Sequence, residues 1–321
     1  MPTSELSPQL RPTHPAATTA DNLLSPRILA YRQASRASET KRAVDKNWRR
    51  FQAWCQHLGQ LALPCLPATL EAYLVHLADS GLSVASISQA KWAVDFCHRL
   101  AGHPQPGQDE RVKVILAGIK RQLGSAPAVK QALTIQHLKQ LSFEDSLMGW
   151  RNKALLYVGF AGGFRRSELA ALHREDLEPT PYGLRIRLRR SKTNQEGQGE
   201  WVDIVRSSES PHHCPVTILM GWLEHAGIAQ GVVFRSVHKN GALGPSLSTV
   251  SIGQIVKHTA KRLGFDPAAY GGHSLRSGCA TYLLERQVPL NLVARQLRHK
   301  RADTTLRYDR NTTGRALQGI Y

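Results

Sequence analysis

Leu184-Arg185-Ile186-Arg187-Leu188-Arg189 alternates aliphatic and cationic side chains with a period of two. Successive side chains of an extended chain point to opposite faces, so this spacing predicts a strand with one buried face and one row of guanidiniums. Trp201-Val202-Asp203-Ile204-Val205 alternates likewise, and the polar stretch from Asn194 to Gly199 between the two runs predicts a hairpin turn. Most of the rest of the chain, outside its N-terminal stretch and a short middle segment, reads as helix.

Upstream, Val44, Trp48, Phe51, Cys55 and Leu58 fall at spacings of four and three, which makes one apolar stripe along a helix from Ser38 to Leu58. Lys41, Arg42, Lys46, Arg49 and Arg50 lie mainly off that stripe. Pro67 to Asp79 predicts a second helix with proline at its start. Ser83 to Leu100 and Glu110 to Leu123 predict two more, and Gly124 closes the bundle. Ser125 to Leu133 has no stripe and contains Pro127, so it reads as a linker. Thr134 is placed to cap a helix from Ile135 onwards. Residues 1–25, rich in Pro, Ser, Thr and Ala, read as a disordered tail. The expected fold is mainly α with a small β-sheet. A helical domain spans 26–124, a linker 125–133, and an α+β domain 134–321.

A length of 321 residues agrees with two domains, and 41% hydrophobic residues suffice for a core in each. The charge is less ordinary: 42 Lys and Arg against 24 acidic residues give +18. Such an excess attracts a polyanion, of which nucleic acid is the commonest. There is no apolar run long enough for a membrane span and no signal-peptide core, so the expected location is the cytoplasm, wherever DNA lies. Five cysteines (Cys55, Cys65, Cys97, Cys214, Cys279) form no C-x-x-C pair and read as reduced thiols. His212-His213-Cys214 has no second ligand pair at zinc-site spacing, which favours a structural role.

Four stretches carry chemistry-bearing residue types: Gly163-Phe164-Arg165-Arg166-Ser167-Glu168-Leu169, Arg190-Ser191-Lys192-Thr193, His273-Ser274-Leu275-Arg276, and His299 with Tyr308 nine positions on. On a helix from Arg165 to Leu172, Arg165 and Glu168 share a face, either as an oriented guanidinium or as a surface ion pair. His273 and Arg276 share a face on a helix entered through Gly271-Gly272, and alone they are as compatible with an ordinary surface as with an anion site. Lys192 belongs at the hairpin, where a lysine usually serves solubility but its stem can reach into a groove. Tyr308, in a segment with few apolar residues, is an interface residue or an exposed nucleophile.

The ordered series resembles the tyrosine recombinase (phage integrase) family, in its Cre/Xer-like branch. That family's motifs read G-L-R-x-S-E-L, a hairpin lysine, H-x-L-R, and L-G-H with tyrosine nine residues later. Arg165, Glu168, Lys192, His273, Arg276, His299 and Tyr308 stand at those positions, in order, over residues 134–310. The first domain resembles the family's helical, SAM-like core-binding domain more loosely. Arg298 stands where the family has glycine and is expected to alter that turn or to add a phosphate contact. Arg166 beside Arg165 makes the catalytic arginine a question of register; spacing to Glu168 favours Arg165.

The resemblance implies a site-specific DNA recombinase needing no cofactor and no metal. Tyr308 would attack a backbone phosphate to give a 3′-phosphotyrosine. Arg165, Arg276 and His299 would hold the phosphate, His273 would accept the phenol proton, and Lys192 would protonate the leaving 5′-oxygen. Two alternatives keep the fold: a type IB topoisomerase-like nicking-resealing enzyme, or a non-catalytic DNA-binding protein. The partners implied are double-stranded DNA with specific recombination sites, and three further copies in a tetramer that exchanges strands through a Holliday junction. Candidate DNA contacts are Lys41, Arg42, Lys46, Arg49, Arg50, Arg187, Arg189 and Arg298. The apolar end, Ile320-Tyr321, is expected to dock on a neighbouring protomer.

Overall fold

The computed structural model describes residues 38–124, 130–189, 199–207, 210–299, 301–306 and 308. The expected N-terminal tail, most of the hairpin turn, Lys192 and the C-terminal Ile320-Tyr321 lie outside the described residues. The chain divides into two compact units, Met1–Pro127 and Ala128–Tyr321.

The first unit is helical. Its helices are α1 (Ser38–His57), α2 (Pro67–Asp79), α3 (Val84–Leu100) and α4 (Glu110–Leu123). Pro67 occupies the first turn of α2, Ser83 caps α3 through the Ser86 amide, and Asp109 caps α4 through the Arg111 amide. Gly124 ends α4 at φ +72, a conformation that L side chains resist. Val44, Phe51 and Cys55 of the α1 stripe are buried, and the Phe51 and Tyr73 rings meet at 4.9 Å between centroids. Each such buried side chain contributes about 1.5–3 kcal/mol. Leu58 departs from the expected stripe: α1 stops at His57, and Leu58 is exposed. Lys41, Arg42, Lys46, Arg49 and Arg50 are all exposed on α1.

The second unit is α+β. Its helices are α5 (Ile135–Lys139), α6 (Leu147–Ala161), α7 (Arg166–Ala170), α8 (Pro215–His225), α9 (Thr249–Arg262), α10 (Ser274–Glu285), α11 (Leu290–Leu297) and α12 (Ala302–Leu306). Its strands are β1 (Leu177–Thr180), β2 (Gly183–Leu188), β3 (Glu200–Val205), β4 (Arg235–Val237) and β5 (Leu243–Ser246). Strands β1-β2-β3 form an antiparallel sheet, with Arg185 opposite Asp203 and Ile186 opposite Val202; β4 and β5 pair separately. Leu184, Ile186 and Leu188 are buried while Arg185, Arg187 and Arg189 are exposed, as a period of two requires.

At the centre lies α6, buried on every side from Ala154 to Phe160. Gly159 lets its neighbours close in, since a Cβ there would come 2.8 Å from Leu275 Cδ1 and 3.1 Å from Leu169 Cδ1. Through this contact α6 is packed against both α10, which carries Arg276, and α7, which Arg165 caps.

The described part of the expected linker is a correction. Leu133 is fully buried in the second core, its amide donates to Ser274 O (2.9 Å), and Gln131 N donates to Ala269 O (2.9 Å). Leu133, in a segment with no apolar stripe, gives no local sign of this docking. Thr134 then caps α5, with His137 completing a reciprocal capping box.

Candidate active site

The site begins at a sharp turn after α6. Gly163 adopts φ +54, and a Cβ there would lie 2.5 Å from Leu297 Cδ2. Glycine therefore serves both the left-handed backbone and the close approach of α11. The turn leaves Arg165 as the cap residue of α7 rather than inside a longer helix; α7 starts at Arg166 and ends at Ala170. Arg165 and Glu168 thus meet through a capping arrangement, not along a helix face. Glu168 Oε2 accepts from the Arg165 amide (2.8 Å) and Oε1 from Arg165 Nη1 (2.6 Å).

Glu168 is buried, and its second oxygen also receives Arg298 Nη2 at 2.8 Å. Burial alone would raise this carboxyl, but Arg298 and the Arg165 amide and guanidinium outweigh it and hold the group below the usual carboxylate range. The surface-ion-pair alternative is thereby set aside.

Arg276 projects from α10 into the same pocket and is 1% exposed. Its Nη1 donates to Gly163 O (2.7 Å) and its Nη2 to Leu297 O. Burial, with Arg165 and Arg298 nearby, lowers its pKa to about 10, which still leaves it charged at neutral pH. His273 caps the start of α10, and its Nε2 lies 2.7 Å from the hydroxyl of Tyr308. Tyr308 follows α12, where its amide donates to Thr305 O (3.0 Å).

His299 stacks on the Tyr308 ring, with centroids 5.9 Å apart and planes 8° from parallel. Burial, then Arg276, Arg165, Arg298 and His273, push its pKa down to about 4, so the ring is neutral near pH 7. His299 Nδ1 pairs with the hydroxyl of the buried Thr305 (2.9 Å). When that hydroxyl donates to Nδ1, the neutral ring carries its proton on Nε2, free to donate elsewhere. Thr305 was not singled out by sequence; a threonine on a one-turn helix gives no signal beyond its distance from His299.

Arg165, Glu168, His273, Arg276, His299 and Tyr308 therefore converge, although up to 143 positions separate them (308 − 165). Arg166 does not join them: it is exposed, and its side chain covers Gly272, where a Cβ would fall 1.8 Å from its Cδ. Of the two adjacent arginines, Arg165 is the one whose guanidinium meets Glu168.

Arg298 corrects an expectation. It is 7% exposed, and its guanidinium turns inward onto Glu168 and the carbonyls of Gly162 and Gly163, which removes it from contact with a phosphate outside. Arg187 stays exposed, 5.9 Å over the Trp201 ring, whereas Arg189 is paired to Asp176 at 2.7 Å. Among the described residues no cluster of His, Cys, Asp or Glu is arranged to hold a metal, and no helix is long and apolar enough to cross a membrane. His213 instead pairs with the Tyr157 hydroxyl (2.8 Å).

Comparison with known proteins gives a consistent result. The sequence profile described as the phage integrase family matches residues 131–315. An integrase/recombinase XerD homolog of Selenomonas ruminantium is 35% identical over 286 residues, 86% of this chain and 82% of the relative. The Cre recombinase of Escherichia phage P1 is 26% identical over 293 residues, 84% of this chain and 83% of its own. In fold, the chain is similar to the Tn1549 transposon integrase solved in complex with transposon right end DNA. That likeness has a TM-score of 0.60 at 14% identity and covers 92% of this chain and 98% of the other.

Proposed function

We propose, on the premise that the chain belongs to the phage integrase family of tyrosine recombinases, that it recombines DNA at specific sites through a covalent intermediate on Tyr308. The Tyr308 oxygen attacks a backbone phosphorus, the Oη–P bond forms, and the P–O5′ bond breaks. The phenol proton passes to His273 Nε2, which stands at hydrogen-bond distance for that transfer. A phenol with a reference pKa of about 10 needs such an acceptor at neutral pH. Lys192 gives a proton to the departing 5′-oxygen. A 5′-hydroxyl from a partner duplex then reverses the sequence and releases the enzyme.

Charge accumulates on the non-bridging oxygens during attack, and preorganised donors stabilise it more than the ground state. Arg165 and Arg276 are fixed donors of this kind, each held by its own hydrogen bonds before any substrate arrives. Neutral His299 adds a third donor without titrating in the working range. Bond energy is conserved in the phosphotyrosine, so the reaction needs neither nucleotide nor metal.

Double-stranded DNA is the partner proposed, met by the exposed cations of α1 and by Arg187, in a tetramer on two sites that exchanges strands through a Holliday junction. The observation that carries the reading is the 2.7 Å contact between the Tyr308 hydroxyl and His273, made within one chain beside the two guanidiniums. It supports cleavage by a protomer's own tyrosine. The test is a nicked duplex carrying candidate sites, incubated with chelator and resolved under denaturing conditions. A covalent protein–DNA band should form and vanish in Tyr308→Phe. Strand exchange between paired sites separates recombination from nicking and resealing within one duplex.

A further inference from the structure

Arg298 sits in an expensive conformation for what a surface residue would gain. It ends α11 at φ 55 and ψ 48, the left-handed region that disfavours any residue with a Cβ. The family's motif has glycine here, which occupies that region freely. The side chain is not left to solvent in return. Nη1 donates to Gly162 O (3.0 Å) and Gln296 O (2.8 Å), Nη2 donates to Gly163 O (3.1 Å) and Glu168 Oε2 (2.8 Å), and the guanidinium lies 5.3 Å over the Phe164 ring. Phe164 is itself a departure, standing where the motif has leucine. The two unusual residues are thus in contact.

Every one of these contacts but Gln296 falls on the Gly162–Glu168 segment that places Arg165. Glu168 gives one oxygen to the Arg165 guanidinium and shares the other between the Arg165 amide and Arg298. The Arg165 guanidinium and amide each hold one carboxylate oxygen, and Arg298 adds a charged donor on Oε2 that ties this oxygen to the end of α11. Gly163 O likewise accepts from both Arg298 and Arg276, so one carbonyl of the turn before Arg165 joins the residue that ends α11 to the arginine of α10.

We propose that Arg298 is a positioning residue for strand cleavage, acting through Glu168 and the 162–165 turn to hold the Arg165 guanidinium in line with the phosphate. This rests on the proposed phosphoryl transfer and adds to it a role for a residue that touches no substrate. The buried guanidinium also loads positive charge onto a pocket that already holds two. Glu168 offsets it, so the net effect is on direction rather than on charge at the phosphate.

The test compares Arg298→Gly, whose glycine suits the left-handed backbone, with Arg298→Lys, which keeps a cation near Glu168. Single-turnover adduct formation is measured on the nicked duplex at saturating protein, together with DNA affinity and melting temperature. R298G should slow adduct formation by about 100-fold, the scale on which small displacements of a reacting group act. DNA affinity should hold, and R298K should recover part of the rate. A second duplex carries an uncharged methylphosphonate at the scissile position, where Arg165 has no anionic oxygen to neutralise. The R298G deficit should shrink on that substrate. Wild-type rates in R298G, or an equal deficit on both substrates, overturn the proposal while wild-type cleavage leaves the tyrosine mechanism intact. Should R298G fail to fold, R298K at the wild-type rate on the charged substrate, with no change on the neutral one, overturns it as well. If wild-type protein forms no adduct, the reading of the site falls first and this inference with it.

Discussion

His273 Nε2 and the Tyr308 hydroxyl stand 2.7 Å apart, joined across 35 positions by the packing of α10 against α11 and of α11 against α12. A phenol with an imidazole in contact has its proton acceptor in place before substrate arrives. In the proposed reaction, removing the acceptor slows deprotonation of the nucleophile. His273→Gln is expected to lower the rate of covalent adduct formation by about 10²–10⁴-fold at pH 7, the usual range for a positioned general base. The deficit should narrow as pH rises towards about 10, where the phenol ionises unaided. Rates on the nicked duplex between pH 6 and 9.5 check this, and a pH-independent deficit would assign His273 another role.

Glu168 is a carboxylate shared by Arg165 and Arg298, and it is shielded from water. Glu168→Gln leaves two guanidiniums facing a neutral amide. Breaking a buried pair from one side destabilises by about 3–5 kcal/mol, and urea unfolding should report a loss of that order. Because the folded carboxyl titrates below its unfolded value of about 4.3, the wild-type pair contributes stability above that pH. That contribution is lost as pH falls through the folded value. The acid limb of stability against pH should be shallower in Glu168→Gln than in wild type.

The turn that presents Arg165 depends on Gly163 having no side chain. Alanine there meets both a left-handed φ of +54 and Leu297 Cδ2 at 2.5 Å. Gly163→Ala should cost about 1–3 kcal/mol, the scale for a non-glycine residue held in a sparse backbone region. Leu297→Ala combined with it relieves the clash but not the φ. The double variant should therefore be no more stable than Leu297→Ala alone, which differential scanning calorimetry can decide.

How much of this was legible beforehand follows from what is local. Helix α1 and strands β2 and β3 are legible from their own periods, because burial on one face writes itself into consecutive residues. Strands β1, β4 and β5 are not: Leu177–Thr180 contains a proline, Arg235–Val237 has three residues, and each becomes a strand only by pairing with a neighbour. Arg165, His273, Arg276 and Tyr308 are legible as spaced motifs, and the family resemblance implies that they meet at one phosphate; no local period shows that meeting, since packing of α6, α10 and α11 supplies it. Arg298 shows the limit most clearly. A cation following an apolar run gives no local sign of burial, and Glu168, 130 positions away, receives it together with the carbonyls of Gly162 and Gly163.

His299 lends itself to direct titration. Its folded pKa is pushed down to about 4, whereas an unfolded histidine titrates near 6.5. The folded state therefore binds this proton less readily, and its stability falls as pH drops from about 6.5 to about 4. Above that window His299 is neutral in both states and contributes no pH dependence. NMR titration of ring protons should place its midpoint well below those of exposed histidines. Thr305→Val removes the hydroxyl at Nδ1 without filling its place with charge, and should slow cleavage while leaving that low midpoint, which burial and the arginines set.

Lys192 is the remaining expectation, and its test does not need its position. The leaving 5′-oxygen departs as an alkoxide unless protonated, and an ammonium with a reference pKa of about 10.4 is a competent donor. Lys192→Ala should slow cleavage of ordinary DNA by about 10²–10⁴-fold. Sulfur in place of the bridging 5′-oxygen leaves as a stable thiolate and needs no proton. With that substrate Lys192→Ala should approach the wild-type rate, while Arg276→Ala, whose donors face the non-bridging oxygens in the proposed reaction, should stay slow. Rescue of both variants alike would mean that the sulfur substrate merely reacts faster everywhere, and the acid would then have to be sought among the other donors of the pocket.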